Sequence, residues 1–242
     1  MLAKIFENLK TLIIALLIAI LIRSLFFQPF YIPSSSMEPT LLVGDRIFVS
    51  KYTYGYSKHS FPFSPPIFDN RILYSKPNYG DLVVFKTPSD NRTDFIKRLI
   101  GLPGDQIQFK DGNLFVNNEM IKKKKINNRN DIRCAGKEID VLEYNEELSK
   151  KKSFNIVYKS KGSMKNSDLY KVPDDHFFFL GDNRDCSSDS RFLGNVGYVH
   201  KNNLVGKARI IFFSNDTMKG SVLKFWNWSN SLRLDRFFKI IE

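Results

Sequence analysis

Phe95-Ile96-Lys97-Arg98-Leu99-Ile100 is an apolar run broken by two cations, and Gly101-Leu102-Pro103-Gly104-Asp105 closes it. The run has the length and composition of a β-strand, and the Gly/Pro-rich segment after it carries turn chemistry. Neighbouring segments read the same way. Asp81-Leu82-Val83-Val84-Phe85 comes after Gly80 and strongly favours a strand, and Gln106 to Asn117 reads as a hairpin around Asp111-Gly112. Residues 41–55 read as a turn and a strand. His176-Phe177-Phe178-Phe179-Leu180 and Leu204 to Phe213 complete the strong strands. With 22 Phe among 242 residues, composition also favours strands over helices.

Between these segments the character changes. Tyr52 to Pro77 is rich in Tyr, Ser, Pro and Phe without periodicity and reads as a loop. From about Glu119 to Lys171 the chain is polar, with charge runs at Lys122–Lys125 and Lys150–Lys152, and reads as an inserted lobe with a mobile rim and solvated lysines. The tail from Val222 mixes Phe225, Trp226, Trp228, Leu232, Leu234, Phe237 and Phe238 with Lys and Arg. It reads either as an interfacial amphipathic helix or as a helix capping the core.

Thr11 to Ile22 carries no charge, and Leu9 to Phe27 reaches spanning length if Arg23 snorkels to the interface. No small-x-small cleavage site comes after it, so an uncleaved signal-anchor is expected, with Lys4 and Lys10 holding the N-terminus in the cytoplasm. The net charge of +12 suits nucleic acid or anionic lipid. Lipid is the preferred partner, because an apolar segment is present and no nucleic-acid-binding motif is. Cys134 and Cys186 are too few for a disulfide framework and are not at metal spacing. Two free thiols are expected, with a single bridge as the alternative.

Pro33-Ser34-Ser35-Ser36-Met37-Glu38-Pro39-Thr40-Leu41 lies just beyond the apolar segment. Small residues between two prolines make a poor helix or strand and suit a rigid turn presenting a hydroxyl. A nucleophilic serine needs a base. The three histidines are unpromising: His59 lies in a loop, His176 opens an apolar strand, and His200 stands at a strand start. No G-x-S-x-G elbow exists, which disfavours an α/β-hydrolase. A lysine is the known alternative base. Lys97 sits in an apolar strand, unlike the clustered lysines, but its pKa must fall from ~10.4 by roughly three units to serve near neutrality. On its own, a strand lysine is expected to face solvent.

Four motifs in order change that expectation: Ser34 to Leu41; Gly44-Asp45-Arg46-Ile47-Phe48-Val49; Lys97 to Asp105; and Gly181-Asp182-Asn183-Arg184-Asp185 continuing to Ser187, Asp189, Ser190 and Arg191. Behind an anchor, this set resembles the type I signal peptidases, membrane-bound serine proteases that remove signal peptides from exported proteins. The resemblance implies a mainly antiparallel β catalytic domain with a smaller β insertion, preceded by one transmembrane helix. The expected division is a cytoplasmic N-terminus at 1–8, an anchor at 9–27, a catalytic domain at 28–118 and 172–242, and the inserted lobe at 119–171.

The resemblance also assigns roles. Ser36 matches the nucleophile and Lys97 the general base. Ser34, with the Ser36 backbone N–H, matches the oxyanion hole. Ser187 matches the serine that orients the lysine amine, and Asp189, Arg98 and Arg191 match a supporting charged network. Phe30, Ile32, Met37, Leu41, Phe95 and Ile96 match the lining of two shallow pockets that accept small residues at −1 and −3. No metal or other cofactor is implied. The expected partners are preprotein signal peptides and membrane lipid, without nucleic acid, for a monomer on the outer face of a bacterial cytoplasmic membrane.

Cys186 departs from the family, which often has Asn there, and Cys134 has no partner nearby in sequence. Two rivals stay open. A self-cleaving Ser-Lys regulator would carry a DNA-binding domain in place of an anchor. A non-catalytic anchored β-domain would not be acylated at Ser36. Ser221-Val222-Leu223-Lys224 fits the S-x-x-K of penicillin-binding enzymes but lacks its partner motifs.

Overall fold

The computed structural model describes residues 2–66, 69–149, 152–220 and 225–241. The Ser221–Lys224 motif and Lys150 and Lys151 lie outside them. Helix α1 (Leu2–Leu25) comes first. Among the described residues, fifteen strands come after it: β1 (Phe27–Tyr31), β2 (Asp45–Ser50), β3 (Leu82–Lys86), β4 (Asp94–Gly101), β5 (Gln106–Lys110), β6 (Asn113–Val116), β7 (Glu119–Met120), β8 (Lys122–Cys134), β9 (Lys137–Ser149), β10 (Lys152–Lys159), β11 (Tyr170–Lys171), β12 (His176–Leu180), β13 (Val199–His200), β14 (Leu204–Ser214) and β15 (Lys239–Ile240).

Lys4–Leu25 of α1 is 22 residues long with a mean hydropathy of 2.3. At 1.5 Å per residue it is about 33 Å long, enough to cross a bilayer core. Its apolar window is not buried against any other described part of the protein. The helix stops at Leu25, and Phe27, read as the end of the apolar segment, already opens β1.

The main sheet runs β1-β2-β14-β3-β4-β12-β13, antiparallel throughout, with β15 also on β14. Strand β3 shows why it is central. Leu82 and Val84 enter one buried cluster with Met37, Ile47 and Val49, while Val83 and Phe85 enter another with Leu99, Phe177 and Phe179. Both faces are covered, so an unbroken apolar run is what this position needs. Strand β12 alternates likewise, with Phe178 and Leu180 joining a third cluster that includes Ile107, Phe109, Phe154 and Ile156. That cluster binds a four-stranded sheet (β11-β5-β6-β7) and a three-stranded one (β10-β9-β8) to the main sheet.

The polar stretch after Glu119 is therefore a long antiparallel hairpin. Its register sets Lys122 opposite Glu147, Lys123 opposite Glu146 and Arg133 opposite Glu138. β8 is an edge strand, and lysines there discourage pairing with another chain. Lys122, Lys124 and Lys125 are exposed as expected, but Lys123 is a correction. It is half-buried over the rings of Tyr144 and Tyr158 and donates to the Gly112 carbonyl.

The cysteines are a second correction. Cys134, at the tip of the hairpin, is bonded to Cys186, with Cα atoms 5.5 Å apart. Fifty-two residues separate them in sequence, so only the folding of the hairpin back over the Ser36 turn brings them together.

The tail is neither of the helices read from sequence. Among the described residues it consists of short turns, a four-residue helix α2 (Trp228–Ser231) and β15. It is clamped to the main sheet by Arg236, which donates to both carboxylate oxygens of Asp45 at 3.1 and 2.6 Å and to the Thr40 carbonyl. Phe225, Trp226, Leu234 and Phe238 remain exposed.

Candidate active site

Ser35–Met37 form one turn of 3-10 helix between β1 and β2. The turn is held from the loop after β12. Asn183 donates its backbone N–H to the Ser36 carbonyl (3.1 Å) and its side-chain amide to the Ser35 carbonyl (3.1 Å). Gly181 permits this approach: a Cβ there would lie 2.5 Å from the Ser36 carbonyl oxygen and 2.3 Å from Ser187 Oγ.

Lys97 lies on β4, paired with Val83 on one side, while the next residue, Arg98, pairs with Leu82 and Leu180. A lysine in the middle of a sheet between buried strands cannot lead its amine to water. It is 4% exposed, and its Nζ donates to Ser36 Oγ at 2.7 Å. Burial drives its pKa down to about 8, opposed by the carboxylates of Asp189 and Asp182 and assisted by Arg191. The shift costs the ammonium form about 3 kcal/mol. Lys97 therefore loses its proton far more readily than a surface lysine, and it points at a serine hydroxyl. Ser34 Oγ lies 3.3 Å from Ser36 Oγ.

The other site residues resolve into two ion pairs rather than one network. Arg98 grips Asp182 with two bonds of 2.8 and 2.7 Å, both side chains 1% exposed, and Thr40 donates to the same carboxylate at 2.6 Å. Arg191 grips Asp189, which also accepts the Gly181 N–H at 3.0 Å. Among the described residues Ser187 Oγ is buried without a hydrogen-bond partner and is not bonded to Lys97.

Ser36 stands between two cavities. One, of about 390 Å³, is lined by Phe30, Ile32, Met37, Phe95, Ile96 and Lys97 among others. The second, of about 710 Å³, lies against Ser34, Ser36, Ser187, Phe192, Met218 and the Cys134–Cys186 bridge. Leu41, expected in the lining, is instead fully buried in the core with Ile47 and Val49. None of the three histidines lines either cavity. Sequence reasoning missed the second cavity, because its walls come from separate stretches near residues 34, 134, 187 and 217. It also gave no role to Asp182 and Asn183, although both stand in the Gly181–Asp185 motif.

The sequence profile of the family described as signal peptidase, peptidase S26, matches residues 5–213. The chain belongs to this family. It is 39% identical to signal peptidase I of Rickettsia conorii over 241 residues, covering 92% of this chain and 88% of that one. It is 38% identical to signal peptidase I of Rickettsia canadensis, covering 96% and 92%. A signal peptidase I of Enterococcus faecalis V583 of known crystal structure is 23% identical, with a TM-score of 0.33, covering 55% of this chain and 97% of that one. As a member of the peptidase S26 family, the protein is a serine endopeptidase, and its N-terminal helix suits membrane anchoring.

Proposed function

We propose that this enzyme removes N-terminal signal peptides from exported preproteins, cutting after a small-x-small sequence with a Ser36–Lys97 dyad. The observation that carries the reading is the 2.7 Å bond from Lys97 Nζ to Ser36 Oγ in a buried site that lowers the lysine pKa. Neutral Lys97 takes the proton as Ser36 Oγ bonds to the carbonyl carbon of the −1 residue. The oxyanion is met by the Ser34 hydroxyl and the Ser36 N–H, where one donor is typically worth ~3–4 kcal/mol. Collapse breaks the peptide bond, and the Lys97 ammonium gives its proton to the departing amine. Lys97 then deprotonates a water that hydrolyses the Ser36 ester, freeing the signal peptide carboxylate and restoring the hydroxyl.

Ser187 is the proposed orienting group for the lysine amine, its unpaired hydroxyl being available to accept from it. Arg98–Asp182 and Arg191–Asp189 hold the backbone around it. The apolar cavity containing Phe30, Ile32, Met37, Phe95 and Ile96 is the proposed receptor for the small side chains at −1 and −3. The proposed organisation keeps 28–118 and 172–242 as the catalytic domain with 119–171 inserted. The proposed topology is a single pass, with a monomeric catalytic domain outside a bacterial cytoplasmic membrane and no role for nucleic acid. The test is cleavage of an exported preprotein by detergent-solubilised enzyme beside Ser36→Ala and Lys97→Ala. Cutting at the small-x-small site by wild type alone is expected. Turnover by pure Lys97→Ala would remove the dyad.

A further inference from the structure

A separate cavity of about 500 Å³ lies where α1 meets the main sheet, and it shares only Phe30 and Asp94 with the apolar cavity beside Ser36. Five cations line it: Arg23, Lys51, Lys58, Lys86 and Arg92. Its two carboxylates are already engaged. Asp94 pairs with Lys86 at 2.9 Å. Asp90 accepts from the hydroxyls of Thr87 and Thr93 and from the backbone N–H groups of Arg92 and Thr93. Among the described residues, Arg23, Lys51, Lys58 and Arg92 have no carboxylate within salt-bridge range.

Lys51 is the telling member. It is 2% exposed, and among the described residues its ammonium donates only to the Ser60 carbonyl, at 2.5 Å. An ammonium carries three donors, so two are left without a protein acceptor. Burial lowers its pKa to about 8; the charge of Arg23 pushes the same way, Asp94 opposes it and Lys86 adds to the lowering. His59, also in the lining, is pushed down to about 4 by burial and adds no charge near neutrality. Five cations against the two carboxylates Asp90 and Asp94 leave the cavity with excess positive charge, and a buried cation in that field is costly unless an anion enters with it.

Position identifies the anion. Arg23 is in the last turn of α1, the Lys51 N–H donates to the Phe26 carbonyl at 2.9 Å, and the Tyr56 hydroxyl donates to the Leu25 carbonyl at 2.9 Å. With α1 crossing a bilayer, this places the cavity at headgroup level. Exposed aromatics flank it: Phe26, Phe27 and Tyr52 near the helix end, and Phe63, wholly exposed, in the cavity lining. Such rings suit the interface between headgroups and acyl chains.

We propose that this cavity binds the phosphate of an anionic phospholipid headgroup, with Lys51 innermost, Arg23, Lys58 and Arg92 around it, and Phe63 in the acyl layer. Two phosphate oxygens meet the two idle Lys51 donors. Because Phe30 and Asp94 belong to both cavities, a bound lipid sets the height of the Ser36 cleft above the membrane. The inference rests on α1 spanning a bilayer and is independent of the dyad.

The test is native mass spectrometry of the full chain, released from micelles doped equally with phosphatidylglycerol and phosphatidylcholine of the same acyl chains. Wild type is expected to retain phosphatidylglycerol over phosphatidylcholine by about tenfold or more. Lys51→Met/Lys58→Gln is expected to bring the two near parity. Lys161→Gln/Lys165→Gln, with the same loss of charge at exposed sites, is expected to keep the preference. Equal retention by wild type, or an undiminished preference in the Lys51/Lys58 variant, overturns the site. Loss in the Lys161/Lys165 variant also overturns it, in favour of overall charge. If Lys51→Met does not fold, Lys58→Gln/Arg92→Gln carries the same comparison. Inorganic phosphate separates the sources: displacement of the lipid by millimolar phosphate would assign the cavity to the free ion and overturn the lipid reading.

Discussion

Strand β4 and strand β8 both carry lysines, and the two strands put them to opposite uses. β4 lies inside the main sheet between β3 and β12, and its Lys97 is 4% exposed with a pKa lowered to about 8. β8 lies on an edge, and Lys122, Lys124 and Lys125 reach water. A lysine becomes a base not by its identity but by whether its strand lets the flexible stem lead the ammonium out. Lys123 falls between, half-buried with its pKa lowered by burial, yet spent on a carbonyl and two rings rather than aimed at a hydroxyl. Burial alone makes an unusual lysine, and a nucleophile in range makes a candidate base.

The comparison breaks first at Lys97. Lys97→Ala is expected to lower kcat/KM by about 1,000-fold or more, in the upper range for loss of a general base, with circular dichroism unchanged. A loss below about tenfold would put another base beside Ser36.

Ion pairs offer the next contrast. Asp182→Ala leaves the Arg98 guanidinium buried and unpaired, and should cost about 3–5 kcal/mol in urea unfolding. Glu147→Ala, opposite exposed Lys122 in the hairpin, should cost below about 1 kcal/mol. Similar costs for both would mean that the interior pair has access to water.

The bridge from hairpin to catalytic loop comes third. Cys134→Ser/Cys186→Ser frees a loop closed across 52 residues and should lower stability by about 2–4 kcal/mol. The bridge also lines the second cavity, so peptide KM should rise more than kcat falls. Unchanged stability and KM would reduce the bridge to an ornament of the edge.

The pH dependence sharpens the β4 side. With Lys97 near 8, kcat/KM should climb about tenfold per pH unit below that value and level off above it. Stability carries the matching sign. The folded state holds this proton less tightly than the unfolded chain, so stability rises with pH from about 8 towards ~10.4. Lys97→Met should make that rise shallower, the share from Lys51, also lowered to about 8, remaining. The smallest effect is expected at the edge: Lys124→Gln should change stability by less than about 0.5 kcal/mol and leave cleavage unaltered.

The parts legible in sequence are those whose signal is local. The apolar runs of β3, β4 and β12 stand out because both of their faces are buried, and the span of α1 because lipid demands length and apolarity together. Ser36 is conspicuous between its prolines. Lys97 could be singled out as the lysine in an apolar strand, yet solvent exposure was the sounder expectation from residues alone, and only the order of four motifs spoke against it. Leu41 packs in the core rather than the cleft, a difference a linear reading cannot see because an apolar residue beside a reactive serine suits either place. The 119–171 stretch looked like a polar rim because an edge hairpin pairs Lys with Glu across strands, and cross-strand pairing leaves no mark along one strand.

Strand content, the membrane-length helix and the candidate nucleophile were thus set by the chain itself, since each depends on residues adjacent in sequence. The pairing of Cys134 with Cys186 and of Arg98 with Asp182, the two cavities around Ser36 and the cationic cavity under α1 were decided by tertiary structure. Each needs groups from distant segments within a few ångströms of one another. The same is true of the lowered Lys97 pKa: desolvation belongs to the neighbours that exclude water, and those neighbours are β3 and β12.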